Sequence, residues 1–591
     1  MGTFGRKVGT LAIFVAICFA FFVSRTEASY TTRRIISDTI CSYMGTCQHD
    51  LSKGTSAVDS PITLEGYGKF TGRTINTTLN GTPLITDVDA WLAIDYATQP
   101  IGERRFKPVD WPAPFDGVRA ATKHGPACVQ DPKRVKVKHQ DEACLHFNVY
   151  RTKGIPLSKK LPVFVYIHGG SFNFGSWGSL DAASFVAFSK APITVVSFHY
   201  RLNSLGFLPS KLFEEEDLLN LGLQDQYFFL RHFLQKHISS FGGDPKEITL
   251  GGRSAGGHSV GIHHFHNYGQ DAGKPYFARA IYQSGSVTAR AFPNATYPLY
   301  TQQFNEYMTA LHCPIDDNAA ALKCLRSANI SDIRDISTKL YRKAAYNVTW
   351  PFQPTQGGPM LEKLGSESGY NGSFFHVPII TTSVTNEGRF AVPTNLNTSE
   401  DFLKFMHTTS PGLTTDDLNE LETLYPDPIT DPTSPYRDSP KSKQFSRVAA
   451  AWSDYGYICP VQETAYRVSK AGMPTWKARF NTNNKYPAWK GIPHAADGKY
   501  TWPDTKVQYP DVGHILHGYL SSFVTTGDPN TNRYPGSPEW PKYEPKGYGL
   551  DSMPADQLVL QPKHTEVETD YIRRDACLFW RDPKRAARLN K

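Results

Sequence analysis

The chain has 591 residues, of which 40% are hydrophobic and 20% charged, a balance that supplies a large core and excludes a disordered or low-complexity protein. Sixty-three Lys and Arg against 55 Asp and Glu leave a net charge of +8, a mild excess spread along the sequence, so composition points to no nucleic-acid partner. No internal repeat or linker separates two modules, which favours one large domain.

In chain order, Arg6 and Lys7 precede an apolar run from Leu11 to Val23, followed by the small-residue pattern Thr26-Glu27-Ala28. This reads as a signal peptide over 1–28, because the run is too short to span a bilayer comfortably, and 29–591 is then one secreted domain with no stable membrane anchor. Removing Cys18 with that leader leaves Cys41, Cys47, Cys128, Cys144, Cys313, Cys324, Cys459 and Cys577, an even number that suits four bridges in an oxidising compartment. Sequence alone leaves their pairing open. Seven N-x-S/T sequons, at Asn76, Asn80, Asn294, Asn329, Asn347, Asn371 and Asn397, extend the secretion reading and call for exposed positions.

The run Val163-Phe164-Val165-Tyr166-Ile167 reads as a buried strand and ends in His168-Gly169-Gly170-Ser171-Phe172. Glycines after a strand end let backbone N–H groups face a developing oxyanion with no side chain in the way, so Gly169 and Gly170 are candidate donors. Further on, Ile248-Thr249-Leu250-Gly251-Gly252-Arg253-Ser254-Ala255-Gly256-Gly257 runs a short strand into a glycine-flanked serine and then a helix. Such a nucleophile elbow projects the Ser254 hydroxyl out of the backbone, and the N–H of Ala255 becomes a third oxyanion donor. The chemistry suggested is acyl transfer through a serine ester.

The histidines after the elbow, His258, His263, His264 and His266, resemble a metal tract but lack the spacing of a zinc helix, so no metal is expected. His514 and His517 sit at helical spacing ahead of Tyr519 and Phe523, which favours packing. The Pro-rich stretch from Tyr425 to Pro440 reads as an exposed loop.

Together these motifs resemble the type-B carboxylesterases and cholinesterase-like lipases of the α/β-hydrolase fold. The resemblance starts at Ile94-Asp95-Tyr96-Ala97 and Gly102-Glu103-Arg104-Arg105-Phe106. It continues through DEACLHFNV at 141–149, similar to the family's EDCLYLNV, then HGGSFNFGS, YRLNSLGFL from Tyr200, GLQDQYFFLRHF from Gly222 and FGGDPKEITLGGRSAGG from Phe241. Gln283-Ser284-Gly285-Ser286, GDPN at Gly527 and CLFW at Cys577 complete it, so roughly 60 to 580 is covered. It implies a large, mostly parallel sheet flanked by helices, with helical insertions over the active site. It also implies that Glu387, before Gly388, is the acid and that His494, with a carboxylate three residues later, is the base. The order Ser254, Glu387, His494 is that of this fold. The resemblance further pairs Cys128 with Cys144, Cys313 with Cys324 and Cys459 with Cys577. Cys41 and Cys47 remain, with a spacing that permits a separate bridge.

The resulting expectation is a secreted serine carboxylic ester hydrolase without cofactor, acting on a small-molecule or lipid ester. An extracellular lipase is a variant of it, disfavoured because the segment from Cys128 to Cys144, where some family lipases carry a lid, is short and charged. A non-catalytic cholinesterase-like binding ectodomain is the alternative from another class. The sequence departs from the family at Arg253, where relatives commonly carry an acidic residue. Arg253 either faces the alcohol pocket, disfavouring cationic alcohols, or turns away into a salt bridge.

Overall fold

Runs of β-branched and aromatic residues in this chain are long enough to bury on two faces, and they become the strands of one central sheet. The computed structural model describes residues 56–266, 271, 273–503, 506–547, 553, 555–571 and 573–591. The expected signal peptide and the expected Cys41–Cys47 bridge lie outside the described residues.

The strands are β1 (Arg73–Thr77), β2 (Pro83–Asp95), β3 (His146–Thr152), β4 (Leu161–Ile167), β5 (Thr194–Phe198), β6 (Gly243–Arg253), β7 (Arg279–Gln283), β8 (Ile379–Val384), β9 (Thr475–Phe480), β10 (Asp556–Leu560) and β11 (Glu566–Thr569). Their order in space is β11-β10-β9-β8-β7-β6-β4-β5-β3-β2-β1. Neighbours from β5 through β4 and on to β10 are parallel, while β1, β2, β3 and β11 pair antiparallel at the two edges. Parallel strands require both faces covered. Hence β4 reads as a continuous apolar run: Val163, Val165 and Ile167 enter the core on one face, and Phe164 and Tyr166 enter the core on the other. Each such side chain contributes roughly 1.5–3 kcal/mol when fully buried.

Five helices matter for the site: α1 (Ala182–Phe188), α2 (Ala255–Phe265), α3 (Phe445–Ser453), α4 (Cys459–Lys470) and α5 (Pro510–Thr526). Val260 and Ile262 of α2 and Val468 of α4 belong to the first core, whereas α1 and α5 close the second. This is the α/β-hydrolase layering expected from the sequence. The Pro-rich stretch forms turns without regular secondary structure, tied down by buried Tyr425 and Tyr436.

Four signature motifs owe their charges to two buried ion pairs. Arg201 of YRLN grips Asp225 of GLQDQ with Nε at 2.8 Å and Nη2 at 2.6 Å, both side chains being almost fully buried. Arg105 of GERRF meets Glu142 of DEACL through Nε at 2.5 Å and Nη2 at 2.9 Å. A bidentate fork satisfies both carboxylate oxygens, which is what makes a buried charge tolerable. The first pair joins the segment after β5 to the helix over Leu221–Tyr227, and the second joins the segment after β2 to the one before β3.

Candidate active site

Strand β6 ends at Arg253 and helix α2 begins at Ala255, so Ser254 alone must reverse the chain direction. It does so at φ 58° and ψ −127°, a region that L residues seldom occupy and that marks stored strain. The turn closes tightly: a Cβ on Gly252 would come within 2.5 Å of the Gly256 backbone, and one on Gly256 within 2.1 Å of the Ile167 oxygen. Only glycine fits at either position. The Ser254 N–H donates to the Gln283 carbonyl at 2.9 Å, which ties the elbow to β7.

Glu387 follows β8 and is fully buried. Its Oε1 accepts from the Val384 N–H at 2.8 Å, which leaves Oε2 for His494 Nδ1 at 2.6 Å. The other ring nitrogen, Nε2, lies 2.8 Å from Ser254 Oγ. A carboxylate can only accept, so Nδ1 carries the proton and Nε2 is free to accept from the serine hydroxyl. Three residues separated by up to 240 positions in sequence thus form one hydrogen-bonded line.

The loop after β4 passes close to the elbow, where a Cβ on Gly169 would meet the Arg253 carbonyl at 2.3 Å. Gly170 adopts φ 126°, a left-handed value natural to glycine, and a Cβ there would sit 1.8 Å from the Phe174 oxygen. Gly169 and Gly170 line the same cleft as Ser254 and His494. Among the described residues no backbone bond occupies their N–H groups. Ala255 is the first residue of α2, where N–H groups have no intrahelical acceptor. The cleft encloses about 1080 Å³. Phe390 stacks on the His494 ring at 4.8 Å and Tyr457 packs against it at 4.3 Å, which shields the imidazole and limits its rotation.

Arg253 lies between the two positions expected of it. The residue lines the cleft, and its guanidinium reaches Gly498, where an added Cβ would stand 2.2 Å from Nη1. Among the described residues it forms no ion pair within 4 Å, and Nη1 is buried without a hydrogen-bond partner. The neighbouring carboxylate is Asp497, whose pKa is raised by burial while the charge of Arg253 opposes that rise.

Several residues escaped sequence reading. Gln283 Nε2 donates to Asp497 Oδ2 at 3.0 Å and to Thr501 Oγ1 at 2.8 Å, while its Oε1 accepts from the Tyr166 hydroxyl at 2.8 Å. Ser453 of α3 accepts from the Gly388 N–H at 2.6 Å and so fixes the turn that carries Glu387. The Gln283 position was visible as part of a QSGS motif, but nothing local signalled that it reaches the histidine loop. Phe390 and Tyr457 carried no signal either, since aromatics are common in any core.

The three disulfides implied by the resemblance form: Cys128–Cys144, Cys313–Cys324 and Cys459–Cys577. All seven sequon asparagines are exposed. The histidines after the elbow take part in packing: His263 bonds the Tyr276 hydroxyl and Gln226, His264 bonds the Tyr282 hydroxyl and the Phe375 carbonyl, His258 Nδ1 accepts from the Ser286 N–H, and His266 contacts Glu362. His517 bonds the Phe185 carbonyl beneath the sheet.

Residues 59–572 match the carboxylesterase family. The chain belongs to that family. This carboxylesterase is 60% identical to secreted lipase 4 of Gibberella zeae, over 90% of its own length and 94% of the relative's. It is 28% identical to secreted lipase 1 of Botryotinia fuckeliana, covering 82% of its own length and 89% of the other. With acetylcholinesterase of Bungarus fasciatus it shares 27%, over 83% and 82%. The crystal structure of Aspergillus niger EstA superposes with a TM-score of 0.76 at 26% identity, covering 90% of this chain and 99% of that one. The carboxylesterase is accordingly a carboxylic ester hydrolase of the α/β-hydrolase fold. Among the described residues no helix is long and apolar enough to cross a membrane.

Proposed function

We propose that this carboxylesterase acts outside the cell and hydrolyses esters with Ser254 as nucleophile, His494 as general base and acid, and Glu387 as the residue that orients the imidazole. The observation that carries this reading is the continuous line from Ser254 Oγ through His494 to Glu387, at 2.8 Å and 2.6 Å.

The serine hydroxyl is a poor nucleophile until its proton can leave. His494 Nε2 takes that proton as Oγ bonds to the ester carbonyl carbon, and the carbonyl oxygen gains the negative charge. The N–H groups of Gly169, Gly170 and Ala255 stabilise that oxyanion more than the neutral carbonyl, which is the differential binding that lowers the barrier. His494 then returns the proton to the departing alkoxide, and the C–O bond to the alcohol breaks. Glu387 stabilises the imidazolium in between without taking the proton. Water repeats the sequence on the acyl-enzyme and releases the acid. No cofactor enters these steps.

Sequence 29–591 as a single secreted domain, and glycosylation of the exposed sequons, belong to the same reading, supported by the disulfides and by the secreted relative. Reaction with a fluorophosphonate tests the nucleophile: a stoichiometric adduct on the peptide carrying Ser254, absent from Ser254→Ala, supports it, and labelling elsewhere sinks it.

A lipase reading is favoured by the relative named secreted lipase 4. Against it, the segment from Cys128 to Cys144 is pinned in place. Gln130 exchanges two bonds of 2.9 Å with the Gly175 backbone, and Asn203 Nδ2 holds the Val129 carbonyl at 2.6 Å. A rate that jumps when a short-chain triglyceride passes its solubility limit would favour the lipase.

A further inference from the structure

The disulfide-closed loop from Cys128 to Cys144 carries charge of one sign into the active-site cleft. Arg134, Lys136 and Lys138 line the cleft together with Arg253, and no Asp or Glu lines it. The loop's acids are engaged elsewhere. Asp131 receives Arg342 through Nε at 3.0 Å and Nη2 at 2.5 Å, Glu142 is forked to Arg105, and Asp141 accepts the Ala143 N–H at 2.9 Å. The cations, in contrast, have no carboxylate within 4 Å among the described residues; Arg134 only lies over the Phe174 ring at 4.3 Å. Ion pairing therefore leaves this wall more positive than its composition.

Surface lysines are usually a solvated face with little energetic consequence. Here two features distinguish them. The loop is held rigidly, by the bridge, by Gln130 against Gly175, and by Gln140 Oε1 accepting the Gln130 N–H at 2.8 Å, so the cations sit over a fixed cavity. A cleft with low-dielectric walls also focuses the field of such charges on whatever enters. The leaving oxygen of a bound ester has to lie against His494 Nε2 to receive its proton. His494, Ala495, Arg253 and the loop cations line one and the same cleft, so the alcohol half of an ester whose leaving oxygen meets Nε2 shares a cavity whose charged lining is cationic.

Building on the ester hydrolase reading, we propose that this carboxylesterase selects esters whose alcohol half carries an anionic group, a carboxylate, phosphate or sulfonate, which Lys136, Lys138 and Arg134 attract into the cleft. The scissile bond and the chemistry at Ser254 are unchanged; the cations act on capture and positioning.

The test uses the full chain and two acetate esters of phenols, one with a para sulfonate and one with a para sulfonamide. The sulfonate-to-sulfonamide ratio of kcat/KM is measured for wild type, for Lys136→Gln with Lys138→Gln, and for the double charge reversal Lys136→Glu with Lys138→Glu. Taking a ratio within each protein cancels the differing leaving-group reactivity. The ratio should fall roughly three- to tenfold on neutralisation, on the scale of exposed ion pairs, and further on reversal. Raising the salt should pull the wild-type ratio toward that of the neutral variant, because exposed charges are screened. A ratio equal in all three proteins, or a wild-type ratio indifferent to salt, overturns the proposal. A parallel loss of both esters in the variants overturns it too, by showing that the lysines build the site rather than select the alcohol. Failure of the underlying hydrolase reading appears separately, as sulfonamide ester turnover that survives in Ser254→Ala.

Discussion

Gln283 Nε2 and Asp497 Oδ2 lie 3.0 Å apart, which joins the strand beside the elbow to the loop that carries His494. The same glutamine accepts the Ser254 N–H through its backbone carbonyl, so one residue registers the nucleophile and the base against each other. Misplacing the imidazole by about 1 Å costs on the order of 10²-fold in rate. Gln283→Leu, which removes the amide at the cost of one heavy atom of side chain, should therefore lower kcat about ten- to a hundredfold with less change in KM. A kcat within twofold of wild type in a folded Gln283→Leu protein would show that the histidine loop holds its place without the bond.

Ser254→Ala should fold and lose about 10⁴ to 10⁶ in kcat, since residues that act as one unit fail together. Steady-state hydrolysis of a chromogenic acetate ester reads the loss directly, and near-normal turnover would remove Ser254 from the mechanism.

Glu387→Gln should lose about 10⁴ in kcat while its fold is retained. The amide can donate to Nδ1, which puts the proton on the wrong nitrogen and leaves Nε2 unable to accept from Ser254. A variant with most of its activity would mean that the carboxylate at 2.6 Å does not select the tautomer.

Choline esters should be poor substrates, because Arg253 lines the cleft beside Ser254 and its charge opposes a quaternary ammonium group entering that cleft. At about 6 Å and an effective dielectric near 20 the repulsion is roughly 3 kcal/mol, reduced by whatever charge Asp497 carries. Acetylcholine compared with its neutral isostere 3,3-dimethylbutyl acetate should give a lower kcat/KM by tenfold or more, and Arg253→Gln should narrow the gap. A preference for acetylcholine in wild type would show that Arg253 is silent.

Acid should destabilise the fold through its buried histidines. Burial lowers His146, His168 and His264 to about 4 and His263 and His517 to about 3. The unfolded chain takes up these protons near 6.5, whereas the folded chain resists until far lower. Stability is therefore full above 6.5 and is lost as pH falls below it, by about 1.4 kcal/mol per pH unit for each histidine. Urea midpoints should drop steeply between about pH 6.5 and pH 4.5. His517→Gln, which can keep a donor to the Phe185 carbonyl, should shallow that slope. Midpoints that do not move across this interval would refute the sign.

Local pattern determined a good deal of this protein by itself. The G-x-S-x-G turn, the HGG loop and the continuous apolar run of β4 are short-range features, because backbone strain and two-faced burial constrain residue type at the position itself. Through its resemblance the sequence also indicated Glu387, His494 and three disulfides, since order along the chain and flanking residues survive as text. Only the tertiary structure decided the relations among distant charges. Whether Arg253 pairs with an acid depended on where the loop of Asp497 comes to rest. Asp131 and Glu142 stand in one loop with Lys136 and Lys138, yet the acids are claimed by Arg342 and Arg105 from elsewhere in the chain, and the lysines are left facing the cleft. Coulombic partnership falls off with distance in space and takes no account of distance in sequence, so the sign of the cleft is not written in any stretch of the chain that lines it.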